Sequence, residues 1–146
     1  MITKTITFED FDGNQVTKKF AFHLTKADFI EIQSFLGDLR DELEAARSAA
    51  NAPRLIEMIR TIVRIAYGER TPDGRFIKFG SDGHRLGDDF VVSEAYSELL
   101  LDITGKQDSL NEFILGILPV GMGKQLKAEV EAHPEHYPEE VTNILK

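Results

Sequence analysis

In the first 24 residues the apolar side chains fall on even numbers twice over, and that parity dictates how the chain must turn. Ile2, Ile6 and Phe8 alternate with Thr3, Thr5 and Thr7; further on, Val16, Phe20, Phe22 and Leu24 alternate with Thr17, Lys19 and His23. Such alternation marks two half-buried strands. Residues directly paired in an antiparallel hairpin share a face. Their two numbers must therefore sum to an even value if both apolar sets are to point the same way. A two-residue turn at Asp12-Gly13 gives an odd sum and turns one strand inside out. The loop must hold three or five residues, with Gly13 or Asn14 taking positive φ.

After Leu24 the period changes. Thr25, with Asp28 three residues on, suits the start of a helix. Phe29, Ile32, Leu36, Leu39 and Leu43 then recur at spacings of three and four, the stripe of one long helix in which Gly37 is the weak point. Asn51 or Ala52 followed by Pro53 opens a second helix, and Leu55, Met58, Ile59, Ile62, Ile65 and Ala66 face inward along it. Gly68 stands where a left-handed C-cap belongs. Thr71-Pro72-Asp73-Gly74 is a turn signal. Residues 75–79 suit a short third strand joining the hairpin, and 80–89 read as a polar loop with three glycines.

Ser93 caps a third helix with Tyr96, Leu99, Leu100 and Ile103 inside. Ser109 and Glu112 form a capping box for a fourth, whose inner side is Leu110, Phe113, Ile114 and Ile117 and whose stop is Pro119. Beyond Pro119, Leu126 and Val130, then Val141, Ile144 and Leu145, suggest weak helices. The expected fold is α+β and mainly α, an N-terminal β-hairpin packed on a bundle of four or more helices. The expected division is a globular domain at 1–118 and a C-terminal helical arm at 119–146.

Charge narrows the partners. The chain carries 17 basic against 25 acidic side chains, a net charge of -8. That field repels phosphate backbones. Arg54, Arg60 and Arg64 share one helix, with Glu57 among them, and read as a solvated face. No nucleic-acid partner is expected. Cysteine is absent, which removes disulfides and thiol nucleophiles. The N-terminus lacks the apolar core of a signal peptide. No apolar run approaches the ~20 residues of a membrane helix. A cytoplasmic protein without membrane contact is expected.

Candidate chemistry is sparse. Asp10, Asp12 and Asn14 around Gly13 resemble a calcium loop, but the glycine stands fourth and Ala21 occupies the position where a bidentate glutamate is needed. Asp82, His84, Asp88 and Asp89 could hold a hard metal ion, and a small metal-dependent hydrolase is one alternative reading. His133 and His136 are separated by Pro134, which disfavours a shared helix face. In Gly121-Met122-Gly123-Lys124 the lysine is followed by Gln125, so the phosphate-loop pattern fails. No serine sits in a nucleophile turn, and Tyr67 and Tyr96 read as core-edge residues. No catalytic residue, metal ligand or cofactor is expected.

Several short motifs remain. They are Ala66-Tyr67-Gly68, D-G-R-F-I-K at 73–78, S-E-A-Y-S-E-L at 93–99 and E-F-I-L-G-I-L-P at 112–119. With the Asp12-Gly13-Asn14 turn and the Leu24-Thr25-Lys26-Ala27 helix start, this set resembles the tail assembly chaperones of long-tailed phages. The resemblance covers about residues 1–119, with 80–89 and the stretch after Pro119 outside its pattern. It implies a transient, non-catalytic assembly factor in the cytoplasm of the infected host. Such a factor coats the hydrophobic tape measure protein, helps recruit tail tube subunits and is absent from the finished virion. It leaves open whether the chain forms a homo-oligomer. A structural virion protein, such as a head-tail connector or tail completion subunit, is the rival within the same biology. The expected adhesive surface lies on the last helix and the linker after it, at Phe113, Ile117, Leu118, Val120 and Met122.

Overall fold

The structure, a computed structural model, describes residues 1–36 and 39–119. The chain runs β1 (Ile2–Glu9), β2 (Gln15–Phe22), α1 (Lys26–Leu36), α2 (Leu39–Ser48), α3 (Ala52–Ala66), β3 (Tyr67–Arg70), β4 (Phe76–Ile77), α4 (Leu86–Phe90), α5 (Glu94–Gly105) and α6 (Gln107–Ile117). The result is an α+β fold, mainly helical, as the patterning requires. The arm expected at 119–146 lies outside the described residues apart from Pro119, and so do Val120, Met122, His133 and His136.

Even parity holds at every rung of the hairpin. β1 and β2 pair from Ile2↔Phe22 to Glu9↔Gln15, each pair summing to an even number. Residues 10–14 connect them, with Gly13 at φ 82. The Asp10 carboxylate accepts the backbone N–H groups of Asp12 at 3.0 Å and Asn14 at 2.8 Å. The Asp10 carboxylate thus builds the turn.

The sheet has four antiparallel strands in the order β1-β2-β3-β4. The third strand is one more than the sequence shows. The second helix ends at Ala66, and Tyr67 turns directly into β3 with extended backbone. Gly68 is therefore not a left-handed cap. Its bare Cα lets the Phe76 ring and the Ile77 carbonyl lie across it, where an added Cβ would sit 2.6 Å from the ring. Strand β4 then joins β3, not the hairpin, through Glu69↔Ile77 and Arg70↔Phe76.

The stretch 80–89 is also more ordered than a polar loop. Phe79 and Arg85 form a β-bridge, Gly83 takes φ 86, and the Leu86 N–H bonds the Lys78 carbonyl at 2.8 Å. This small turn launches α4, which lands on α3. A Cβ on Gly87 would stand 1.8 Å from the Arg64 carbonyl oxygen, so only glycine permits the approach. The contact buries Phe90.

Helix starts are mostly those expected. Thr25 and Asp28 form a reciprocal box, with Thr25 N–H to Asp28 Oδ2 at 2.9 Å and Asp28 N–H to Thr25 Oγ1 at 3.0 Å. Asn51 and Ser93 accept from Arg54 and Tyr96. The Ser109–Glu112 box does not form. Helix α6 starts earlier, at Gln107, after the single joint residue Lys106, so Ser109 already lies inside the helix. Leu24, Ile32, Met58, Ile62, Ile65, Leu99, Ile103, Phe113 and Ile117 fill the core between helices and sheet.

Asp28 has a second partner. Lys78, at the exit of β4, donates to Asp28 Oδ2 at 2.5 Å, with side-chain exposures of 11% and 17%. Burial by itself raises the Asp28 carboxyl, but the Lys78 ammonium and the Thr25 cap outweigh it and hold its pKa below the ordinary value. Burial likewise lowers Lys78, against the pull of Asp28.

Two substitutions test this packing. Gly87→Ala should destabilise the domain by about 3 kcal/mol through overpacking in chemical denaturation. Gly105→Ala, with no atom near its Cβ position, should be neutral or mildly stabilising. Asp28→Ala should cost about 2–3 kcal/mol, since it removes a cap and strands a buried lysine. Because the folded pKa of Asp28 is depressed, its contribution is present above the ordinary carboxylate value and vanishes as pH falls through the lowered one. The variant should therefore lose part of the wild-type acid dependence below about pH 4.

Candidate partner-binding surface

Three places could carry chemistry or contact, and the fold sorts them. The first is the last helix. Phe113, Ile117 and Leu118 are all buried. Phe113 meets Phe22 edge-on at 5.4 Å between ring centroids. The Ile117 carbonyl accepts the Leu24 N–H at 2.7 Å, and Gly116 lies against Ile2. Phe113, Gly116 and Ile117 thus tie α6 to the open end of the hairpin, where Ile2 pairs with Phe22.

The second is the 80–89 turn. His84 is exposed and lies between two carboxylates: Nδ1 bonds Asp82 Oδ1, and Nε2 bonds Asp89 Oδ2 at 2.7 Å. Asp88 turns away to Arg64 at 3.2 Å. The two carboxylates sit on opposite edges of the ring, so they do not converge with one nitrogen on a common point. Among the described residues no three His, Asp or Glu side chains are arranged to hold a metal ion. The arrangement instead favours an imidazolium. Its bonds to Asp82 and then Asp89 raise the His84 pKa above the ordinary histidine value.

The third is a groove of about 190 Å³ between the hairpin and α4. Phe8, Phe20, Tyr67 and Phe90 form its apolar wall, with Lys18, Glu69 and Asp89 among its polar lining. Tyr67 stacks on Phe90 at 4.6 Å and 12°. Burial, then the neighbouring Glu69, pushes its phenol up to about 12. Such a hydroxyl stays protonated near neutral pH. Nothing in the spacing of the sequence brings Phe90 and Tyr67 together, because α4 is too short to show a period.

The basic side chains of α3 are individually engaged. Arg54 pairs with Glu42 and Glu57 at 3.5 and 3.6 Å, Arg60 donates to the Val91 carbonyl at 3.3 Å and covers the Tyr96 ring, and Arg64 holds Asp88. They form an interlocking surface and do not make a row aimed at phosphates.

A family model described as phage tail assembly chaperone matches residues 1–144. The chain belongs to that family. No curated protein and no solved structure matches it significantly. The tail assembly chaperone pattern reaches further than the short motifs suggest. It takes in the 80–89 turn and the stretch after Pro119, both of which the sequence motifs place outside it. For this chaperone, no helix among the described residues is long and apolar enough to cross a membrane. Large apolar side chains stand exposed at Phe11, Ile30, Phe79, Val92 and Leu101.

The His84 bridge makes a direct prediction. Its ring resonances should titrate above the ordinary value of about 6.5, and Asp82→Asn with Asp89→Asn should return them toward it. Since the folded pKa is raised, the bridge contributes fully below about pH 6.5 and fades as pH rises through the folded value. A wild-type midpoint at or below that of the double variant would contradict this geometry.

Proposed function

We propose that this chain acts by binding and not by catalysis. It holds the hydrophobic tape measure protein in the host cytoplasm, helps recruit tail tube subunits around it, and leaves before the virion is complete. Family membership over 1–144 carries the proposal. The described surface agrees with it in kind. Its Asp10, Asp28 and Asp88 carboxylates are engaged in a turn, a cap and an ion pair. A net charge of -8 discourages indiscriminate association while apolar side chains remain on offer to an amphipathic partner.

The adhesive surface is proposed on α6 and the linker after it. Phe113, Ile117 and Leu118 are committed to the core, so they serve as the anchor of that surface. Val120 and Met122 are then the residues that reach the partner. Burying two such side chains is worth about 1.5–3 kcal/mol each.

Val120→Asp with Met122→Asp should reduce co-purification of the tape measure protein at least tenfold while leaving the circular dichroism and melting temperature unchanged. Unchanged co-purification removes the surface from these residues. Finding the chain in purified particles at stoichiometric level would favour the structural virion role instead.

A further inference from the structure

Among the described residues the sheet has one long open edge, and its chemistry is that of a self-complementary one. Strand β1 is the outermost strand, eight residues long, and no backbone bond from its outer side is found among the described residues. The Asp10 N–H bonds the Asn14 carbonyl at 2.9 Å, which fixes the alternation along the ladder. Even-numbered residues of β1 bond to β2. The N–H and C=O groups of Thr3, Thr5 and Thr7 therefore point outward. An edge strand in that state is a template for another strand.

We infer that two copies of the chain pair antiparallel through β1, extending the sheet from four strands to eight. Electrostatics selects this edge. The chain carries -8, yet the run from Ile2 to Phe8 has one charged residue, Lys4, already paired with Asp102 at 3.6 Å. Two acidic molecules can meet here without bringing like charges together. The opposite edge, β4, has only two residues, too few to template a second strand pair.

Register is set by the same residues. A pairing centred on Lys4 sets two ammonium groups face to face. One centred on Thr5 sets Thr3 opposite Thr7 and Ile2 opposite Phe8. The threonines lie on the exposed face, where Thr7 and Thr17 already share a hydroxyl bond at 2.8 Å. On the other face Ile2 and Phe8 are only half-buried, and the second copy covers them. Leu101, next to Asp102 on α5, is 66% exposed in the single chain. One strand edge buries less than the ~1,000 Å² of a durable interface, so the dimer is reversible.

The cysteine-free chain makes the test clean. Thr5→Cys should form a disulfide-linked dimer under mild oxidation at micromolar concentration, and Thr17→Cys, on β2, should not. Wild-type protein should show a concentration-dependent dimer by sedimentation, lost in Thr5→Lys with unchanged circular dichroism. Thr5→Pro, which removes an outward N–H, should lose it too. A monomer at all concentrations, equal cross-linking of both cysteine variants, or a dimer that survives Thr5→Lys would each overturn the pairing. All three readings use the isolated protein, so their outcome is independent of tape measure binding.

Discussion

Phe22 is the contact on which the other elements converge. It is fully buried at the last rung of the hairpin. Its ring meets Phe90 of α4 at 5.4 Å, Phe113 of α6 at 5.4 Å and Tyr67 of β3 at 5.8 Å. Aromatic rings in edge-on contact gain from geometry as well as from lost hydration. One side chain thereby joins the sheet to the short helix and the last helix. Its placement depends on the even parity of the hairpin: an odd loop count puts Phe22 inside, and an even one puts it in water.

The elements legible in the sequence are those whose information is local. The hairpin parity, the Asn51-Ala52-Pro53 helix start and the caps at Thr25 and Ser93 each need only a few adjacent residues, and each appears in the structure as expected. The elements that escape depend on distance. Strand β3 has no turn before it, so Ala66-Tyr67-Gly68 reads as a helix end; Gly68 is there for the Phe76 ring, which arrives from the next strand. Helix α4 spans five residues, fewer than two turns, and Gly87 matters through the Arg64 carbonyl more than twenty positions away. The Asp28–Lys78 pair joins groups 50 residues apart. Ser109 and Glu112 show the converse error: a sound local signal overruled because α6 begins at the Lys106 joint.

The candidate surface is legible to a different extent. Helical spacing marks Phe113 and Ile117 as apolar and inward, and the structure puts them in the core. It does not indicate that the loop histidine is clasped by Asp82 and Asp89, or that Asp88 leaves for Arg64. Those arrangements arise from the bridge at Phe79 and Arg85, which curls the turn back on itself before α4 begins. Polar residues close in sequence are here divided between two tasks, which is why a metal-ligand reading of the same four residues has no geometry to support it.

The lock between Ile2 and Gly116, and between Leu24 and Ile117, joins the start of the chain to the end of its last described helix. Synthesis runs from the N-terminus, so the two halves of this lock are made far apart in time. The hairpin leaves the ribosome first, and the part of its apolar face that α6 covers stays open while more than ninety further residues are made. Only when Ile117 emerges can α6 close over Ile2 and Phe22. Until then the nascent chain leaves Ile2 and one side of Phe22 open to whatever is near it. The order of translation thus gives this small domain an interval, before its own completion, in which its surface is that of a different molecule.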